Sequence, residues 1–278
     1  MSLATLDARF PGCRALVTGG ASGLGLAAAE LLAARGWHLA LLDRDEARLA
    51  SAAEALRALG SPHCEAFAVD VTDEAAVQYA VDAFAGRLGG LDVALNAAGV
   101  AAAGTLAETP AADWRWILEI NVLGVVHSCR AEAPHMAKAG RGLVVNVASA
   151  AAFMSAACMG AYNASKAAVV ALSETLQQEL GPAGVQVSVA MPGFFRTRLM
   201  EHARAPADLR ASAHRLMDRS SMDAAAVAEE MLARAAAGEL HLVLPADYRW
   251  LWRFKRLAPR RFTRWLARQR WRRAPQGG

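Results

Sequence analysis

The chain has 278 residues, 55% of them apolar and 20% charged, with a formal net charge of +4. That length suits one undivided α/β domain, and the apolar share, much of it alanine, supplies a large core of closely packed helices. Cys13, Cys64, Cys129 and Cys158 show no C-x-x-C pairing, and the seven histidines no ligand spacing, so no metal site is expected, and reduced thiols in a reducing compartment are.

Short apolar runs alternate with helical stretches along the chain. Residues 14–18 read as a buried strand, followed by a glycine-rich turn and a helix over 23–35. A strand over 38–42 ends at Asp43, and a helix follows over 44–59. Next come a strand at 65–69, a helix at 73–87 capped by Thr72, and a strand at 92–95. A long helix over 111–138 precedes a strand at 143–147. The uncharged stretch from Arg141 to Lys166 resembles a membrane span in hydropathy. Asn146, Ser149, Ser155 and Asn163 interrupt it, however, and it reads as a buried strand and the start of the helix 160–180, closed by Gly181-Pro182. A strand at 185–190, a helix at 224–237 and a strand at 240–244 complete the pattern. Such alternation implies a doubly wound parallel sheet of seven strands, Rossmann-like, with helices on both faces. Ligands of such sheets bind beyond the carboxyl ends of the strands.

Two segments depart from the alternation. Residues 194–222 mix apolar and basic side chains and are expected to form a lid over substrate. Beyond Pro245 lie eleven of the 30 basic residues and one of the 26 acidic ones, so the remainder carries 19 basic against 25 acidic residues. The expected organisation is a catalytic domain over 1–246 and a basic amphipathic tail over 247–278, in two short helices broken at Pro259. Trp250, Phe254 and Leu257 share one face of the first helix, and Phe262, Trp265 and Leu266 one face of the second. Arginines and tryptophans at that spacing suit the surface of an anionic membrane. The rival reading packs the same apolar face on the protein itself. No motif supports nucleic-acid binding. No N-terminal segment has the order of a secretory signal, so a cytoplasmic protein, with peripheral membrane contact through the tail, is expected.

Strand, glycine-rich turn and helix form the context in which Gly19, Gly23 and Gly25 point to a dinucleotide. The glycines let the backbone approach a pyrophosphate, and the free N–H groups of the helix start face the anion. Asp43 lies about twenty residues further on, where a ribose-binding carboxylate belongs. Tyr162 and Lys166 stand four residues apart, on one face of a helix. A nearby ammonium favours phenolate and is expected to lower the tyrosine pKa, fitting Tyr162 to pass a proton to or from an alcohol.

These motifs together resemble the short-chain dehydrogenases/reductases, in their form of about 250 residues, over residues 10–245. Thr18-Gly19-Gly20-Ala21-Ser22-Gly23-Leu24-Gly25 resembles the family's T-G-x-x-x-G-x-G cofactor loop. Asp70-Val71 resembles its adenine-contacting pair, and Asn96-Ala97-Ala98-Gly99 its N-N-A-G motif, with alanine in place of the second asparagine. Pro192-Gly193 with Thr197 resembles its P-G-x-x-x-T loop at the nicotinamide. The resemblance implies four catalytic residues: Asn121, Ser149, Tyr162 and Lys166. Tyr162 would be the general acid/base, with Lys166 lowering its pKa and binding the nicotinamide ribose. Ser149 would hold the substrate oxygen, and Asn121 a water linking Lys166 to solvent. It also implies a homo-oligomer, a tetramer or dimer, built on the helices 111–138 and 160–180. Trp114, Ile117, Ile120, Val169, Leu172 and Leu176 there exceed what one sheet contact would bury.

Asp43 favours NAD over NADP by repelling a 2′-phosphate, although Arg44 beside it is suited to pair with one. Substrate contacts are expected from Ala150, Ala151, Phe153, Met154, Met159, Met191, Phe194, Phe195, Met200 and Met217, an apolar set that suits a bulky hydrophobic alcohol or ketone. Two alternatives stand beside an alcohol dehydrogenase or carbonyl reductase. One is a reductase of an acyl-thioester-linked 3-oxo group. The other is a catalytically silent cofactor-binding scaffold.

Overall fold

The computed structural model describes residues 3–220 and 222–268. A short helix α1 (Ala4–Arg9) leads into β1 (Arg14–Thr18), α2 (Gly23–Ala33), β2 (His38–Asp43), α3 (Glu46–Leu59), β3 (Cys64–Ala68), α4 (Glu74–Leu88) and β4 (Val93–Asn96). Then follow α5 (Ala111–Leu118), a π-helical turn (Glu119–Leu123), α6 (Gly124–Ala139), β5 (Gly142–Val147), α7 (Ala151–Met154), α8 (Gly160–Leu180) and β6 (Val185–Pro192). The chain continues through α9 (Ala207–Asp218), α10 (Ala224–Ala236), β7 (His241–Leu244), α11 (Asp247–Leu257) and α12 (Pro259–Arg268).

All seven strands pair in parallel, in the order β3-β2-β1-β4-β5-β6-β7. The chain turns back between β1 and β4, which opens a crevice at their carboxyl ends. Side chains alternate across the sheet, and both faces are dry. Ala15, Val17, Leu39, Leu41, Leu143 and Val145 pack under α2, α3 and α10, while Leu16, Ala40, Leu42 and Val144 pack under α4, α6 and α8. Leu41 is fully buried, and cutting it to alanine would cost about 2–5 kcal/mol. A third apolar cluster, with Val71, Ile117, Tyr162, Met200 and Met217, sits above the strand ends.

Local chemistry sets the helix starts. Asp45 caps α3 by accepting from the Arg48 amide at 3.1 Å, and Asp223 caps α10 through the Ala226 amide at 2.9 Å. The cap of α4 is Asp73, accepting from the Ala76 amide at 3.0 Å, and not the expected Thr72. The Thr72 hydroxyl instead donates to Asp70 at 2.8 Å, which leaves the carboxylate one residue later to close the helix. The helix expected over 111–138 is two helices joined by the π turn, and α8 passes directly into a 3-10 turn at Gly181–Ala183.

The oligomer expectation loses part of its basis here. Ile117, Ile120 and Val169 are buried within the protomer, in the cluster above the strand ends and beneath α8. Leu118 and Leu123, at 36% and 44% exposure, are the apolar side chains that the α5–α6 rod leaves outward.

Of the tail, α11 turns its inner face to the domain. Tyr248, Leu251 and Trp252 pack on the core beside β7 and α7, and Trp252 lies 5.4 Å from the His241 ring. Trp250, Phe254, Phe262 and Trp265 form one aromatic cluster between α11 and α12, with Phe262 fully buried. Self-packing therefore accounts for much of the apolar face that the periodicity assigned to a membrane. Among the described residues no helix is long and apolar enough to cross a membrane.

Candidate active site

Most of the residues singled out from the sequence meet in one cleft of about 520 Å³ at the carboxyl ends of the strands. Its floor at one end is the turn from β1 to α2. A Cβ on Gly25 would come within 2.4 Å of the Gly19 carbonyl, so only glycine permits this closure. Ser22, Gly23, Leu24 and Gly25 face the cleft, and no side chain caps the start of α2. Its first amides are left to serve an anion. Asp43 Oδ2 accepts from the Ala21 amide at 3.1 Å and Oδ1 from the Asp45 amide at 3.1 Å. The carboxylate thus braces the glycine turn as well as lining the cleft. Arg44, Asp70, Val71, Ala97, Ala98, Gly99 and Thr197 line the same cavity. Thr18 adds a strut, its hydroxyl accepting from the Ala98 amide at 3.3 Å across the strand ends.

Ser149, Tyr162, Lys166, Pro192 and Gly193 stand at the other end. Tyr162 and Lys166 share one face of α8, with Nζ 6.0 Å from the phenol ring centroid. Nζ donates to the Val147 carbonyl at 2.9 Å, which anchors the lysine at the end of β5. Burial lowers the Lys166 pKa to about 8. Burial also raises the Tyr162 phenol above its usual value, and the Ser149 hydroxyl beside it opposes the rise. The expected lowering of Tyr162 by Lys166 is therefore corrected: desolvation dominates and raises the phenol, and the contribution that opposes it comes from the Ser149 hydroxyl.

Asn121 and Asn96 stand off the cleft. Asn121 sits in the π turn, a common device at functional positions. Its Oδ1 accepts from the Val100 amide at 2.8 Å, and its Nδ2 donates to the Val100 carbonyl at 2.9 Å and to Ser165 Oγ at 3.1 Å. Both amide hydrogens are thus engaged in holding the segment after β4. A Cβ on Gly99 would lie 3.1 Å from Asn121 Oδ1 and 3.3 Å from Lys166 Nζ, so the bare glycine lets both approach one point. Asn96 turns inward, donating to Glu132 Oε2 and Asn146 Oδ1 at 3.0 Å each, beneath the sheet ends.

Of the expected substrate contacts, Ala150, Ala151, Met154, Met159, Phe194, Phe195, Met200 and Met217 line the cleft. Phe153 and Met191 are instead buried in the core under α8. From the segment 194–222, residues between Phe194 and Met217 line the cleft, in a 3-10 turn at Arg198–Met200 and in α9. Arg204 pins it, pairing with Asp113 at 2.8 Å and stacking 4.0 Å from the Trp116 ring. Arg48 of α3 reaches Glu201 of this segment at 3.4 Å, an exposed pair worth little by itself. Among the lining residues not foreseen are the mostly small residues Ala101–Ala103 and Ala156–Cys158, and Tyr248 from α11. The alanines carry no chemistry to search for, and Tyr248 lies in a tail that its charge sets apart.

Residues 14–208 match the family model described as short chain dehydrogenase. The chain belongs to the short-chain dehydrogenase family. It is 41% identical over 196 residues to D-threitol dehydrogenase of Mycolicibacterium smegmatis, spanning 69% of this chain and 74% of that protein. A short-chain dehydrogenase/reductase from Burkholderia phymatum, solved in complex with NAD, superposes with a TM-score of 0.84 at 32% identity over 97% of this chain and 99% of that one. A short-chain dehydrogenase from Sphingobium yanoikuyae, solved in complex with NADPH, gives a TM-score of 0.74 at 28% identity over 95% and 98% of the two chains. This short-chain dehydrogenase is accordingly an oxidoreductase with a nicotinamide cofactor. Its uncapped helix start, glycine closure and cleft-facing carboxylate fit such a dinucleotide.

Proposed function

We propose that the chain interconverts an alcohol and a ketone or aldehyde, using NAD in preference to NADP, on a bulky hydrophobic substrate. The observation that carries this reading is the meeting of Ser149, Tyr162 and Lys166 with the glycine turn and Asp43 in one cleft. A bound nicotinamide would supply or take up the hydride. The amides at the start of α2 would hold the pyrophosphate, and Asp43 would accept from the adenosine ribose. Tyr162 Oη donates the proton to the carbonyl oxygen in reduction and takes it from the hydroxyl in oxidation. Ser149 Oγ holds the same oxygen and stabilises charge developing there. Lys166 Nζ, fixed on Val147, keeps positive charge beside the phenol and would also hold the nicotinamide ribose. Asn121 acts behind Lys166 by fixing Val100 and the path to solvent. Met154, Met159, Phe194, Phe195 and Met200 exclude water and favour an apolar substrate, which distinguishes the expected specificity from that of a polyol dehydrogenase. The test is a panel of hydrophobic, polyol and 3-oxoacyl-thioester substrates with each cofactor, followed by NAD(P)H absorbance. Activity confined to polyols would overturn the substrate class, and inertness across the panel would favour a silent scaffold.

The same reading includes a homo-oligomer, supported by the outward Leu118 and Leu123, and a basic surface on the tail suited to anionic lipid. Arg253, Arg260, Arg261, Arg264 and Arg268 are exposed and make no ion pair among the described residues. Trp250 and Leu257, at 54% and 86% exposure, lie among them.

A further inference from the structure

Tyr248 enters the cleft from α11, outside the alternating strand–helix pattern. Its ring lies across the main chain of Gly193: a Cβ built there would meet ring atoms Cζ, Cε2 and Cε1 at 2.5, 2.7 and 2.9 Å. The ring occupies the space that any side chain at position 193 would need. The turn is held on its other side as well. The Gly193 amide donates to the Leu244 carbonyl at 2.7 Å, and the Pro192 carbonyl accepts from the Ala150 amide at 2.8 Å and from Ser149 Oγ at 3.5 Å. Helix α11 also packs against α7, which begins two residues after Ser149. Tyr248 thus lies on the Pro192-Gly193 turn, which is itself hydrogen-bonded to the Ser149 loop, while its helix packs against α7 just beyond Ser149.

We propose that Tyr248 is a positioning residue of the active site, clamping the Pro192–Gly193–Phe194 turn and forming the wall that limits substrate size at that end of the cleft. This rests on the alcohol–carbonyl reading of the cleft. A ring pressed on glycine removes freedom from the turn, and small misplacements at a reacting end cost rate steeply. The first helix of the tail is then part of the catalytic unit, whatever the second one does.

The experiment compares Tyr248→Ala, Tyr248→Phe, Gly193→Ala and the Gly193→Ala/Tyr248→Ala double variant. It records melting temperature, NADH and NADPH dissociation constants by fluorescence, and KM and kcat separately on a size-graded alcohol series. Tyr248→Ala should lower kcat on small substrates by about tenfold or more and shift the preferred size upward. Tyr248→Phe, which keeps the ring on Gly193 and loses the hydroxyl's hydrogen bond at the Phe194 backbone, should fall between Tyr248→Ala and wild type with the substrate order kept. Gly193→Ala should weaken cofactor binding, and the double variant should recover part of the loss because the clashing ring is gone. A Tyr248→Ala protein that only melts earlier, with unchanged KM, kcat and substrate order, would overturn the proposal. So would a double variant no better than Gly193→Ala. Cofactor binding judges the ring–glycine contact even if wild type proves inert on every alcohol, an outcome that would sink the reading of the cleft instead.

Discussion

Asn96 and Glu132 meet at 3.0 Å beneath the carboxyl ends of β4 and β5, and each keeps one oxygen without a partner, Asn96 Oδ1 and Glu132 Oε1. A carboxylate that bare and fully buried is held neutral: burial raises Glu132 to about 7, with the Asn96 hydrogen bond opposing. Its folded pKa lies above the unfolded value, so its contribution is fully present below about pH 4.5. It is lost as pH rises towards 7, at about 3 kcal/mol when complete. Glu132→Gln keeps the shape and removes the charge. Its melting temperature should match wild type near pH 4 and exceed it at pH 8.5. Equal pH profiles for the two proteins would show that Glu132 does not titrate in this range.

For the chemistry, Tyr162→Phe should bind either cofactor as wild type does and lose about three orders of magnitude in turnover. The raised phenol pKa gives a direction for wild type as well. Alcohol oxidation, which needs the phenolate, should increase through the alkaline range, and carbonyl reduction should decline there. Initial rates from pH 6 to 10 in both directions check this. Oxidation that falls with pH would assign the proton step to another group.

Asp43→Ala removes a ribose acceptor and a brace of the glycine turn together, because the carboxylate also accepts from the Ala21 amide. NAD affinity should fall by about tenfold, and the ratio of NADP to NAD efficiency should rise. Isothermal titration with both cofactors measures it. A wild-type preference for NADP would instead give Arg44 the deciding role.

Much of this arrangement was legible because buried parallel strands are short apolar runs closed by glycine or a carboxylate, as at Val17 to Gly19 and Leu41 to Asp43. The glycine turn, Asp43 and Ser149 lie at or just beyond the ends of such runs, and α8 carries Tyr162 and Lys166 to the same end of the sheet, which is why one cleft gathers them. What periodicity does not carry is direction. Phe153 and Met191 have the composition of a pocket yet face the core, and Asn96 has the motif of a ligand contact yet faces Glu132. Tyr248 belongs to the cleft through a contact with Gly193, 55 residues earlier, that no local pattern encodes. The Tyr162 pKa depends on burial, which the four-residue spacing to Lys166 cannot report.

Oligomer formation should depend on the outward leucines of the α5–α6 rod. Leu118→Lys and Leu123→Lys place charge on that face and leave the buried Ile117 and Ile120 untouched. Sedimentation at micromolar concentration should show an assembly for wild type and a smaller one for the double variant. A wild-type monomer would remove this expectation.

The tail prediction separates its two helices. Truncation before α11 would remove Tyr248 from the cleft, so it cannot isolate a surface role. Changing Arg253, Arg260, Arg261 and Arg264 to glutamine removes charge from exposed positions and leaves the aromatic cluster around Phe262 in place. Near an anionic leaflet each engaged arginine contributes about 1 kcal/mol, and the exposed Trp250 and Leu257 add apolar contact that salt does not screen. Wild type should co-sediment with phosphatidylserine vesicles at low salt and be released in large part at high salt. The quadruple variant should stay in the supernatant, with an unchanged melting temperature and unchanged turnover of a water-dissolved substrate. If wild type ignores the vesicles while the glutamine variant loses its oligomer, the arginines face the net-acidic body of a neighbouring copy and not a membrane.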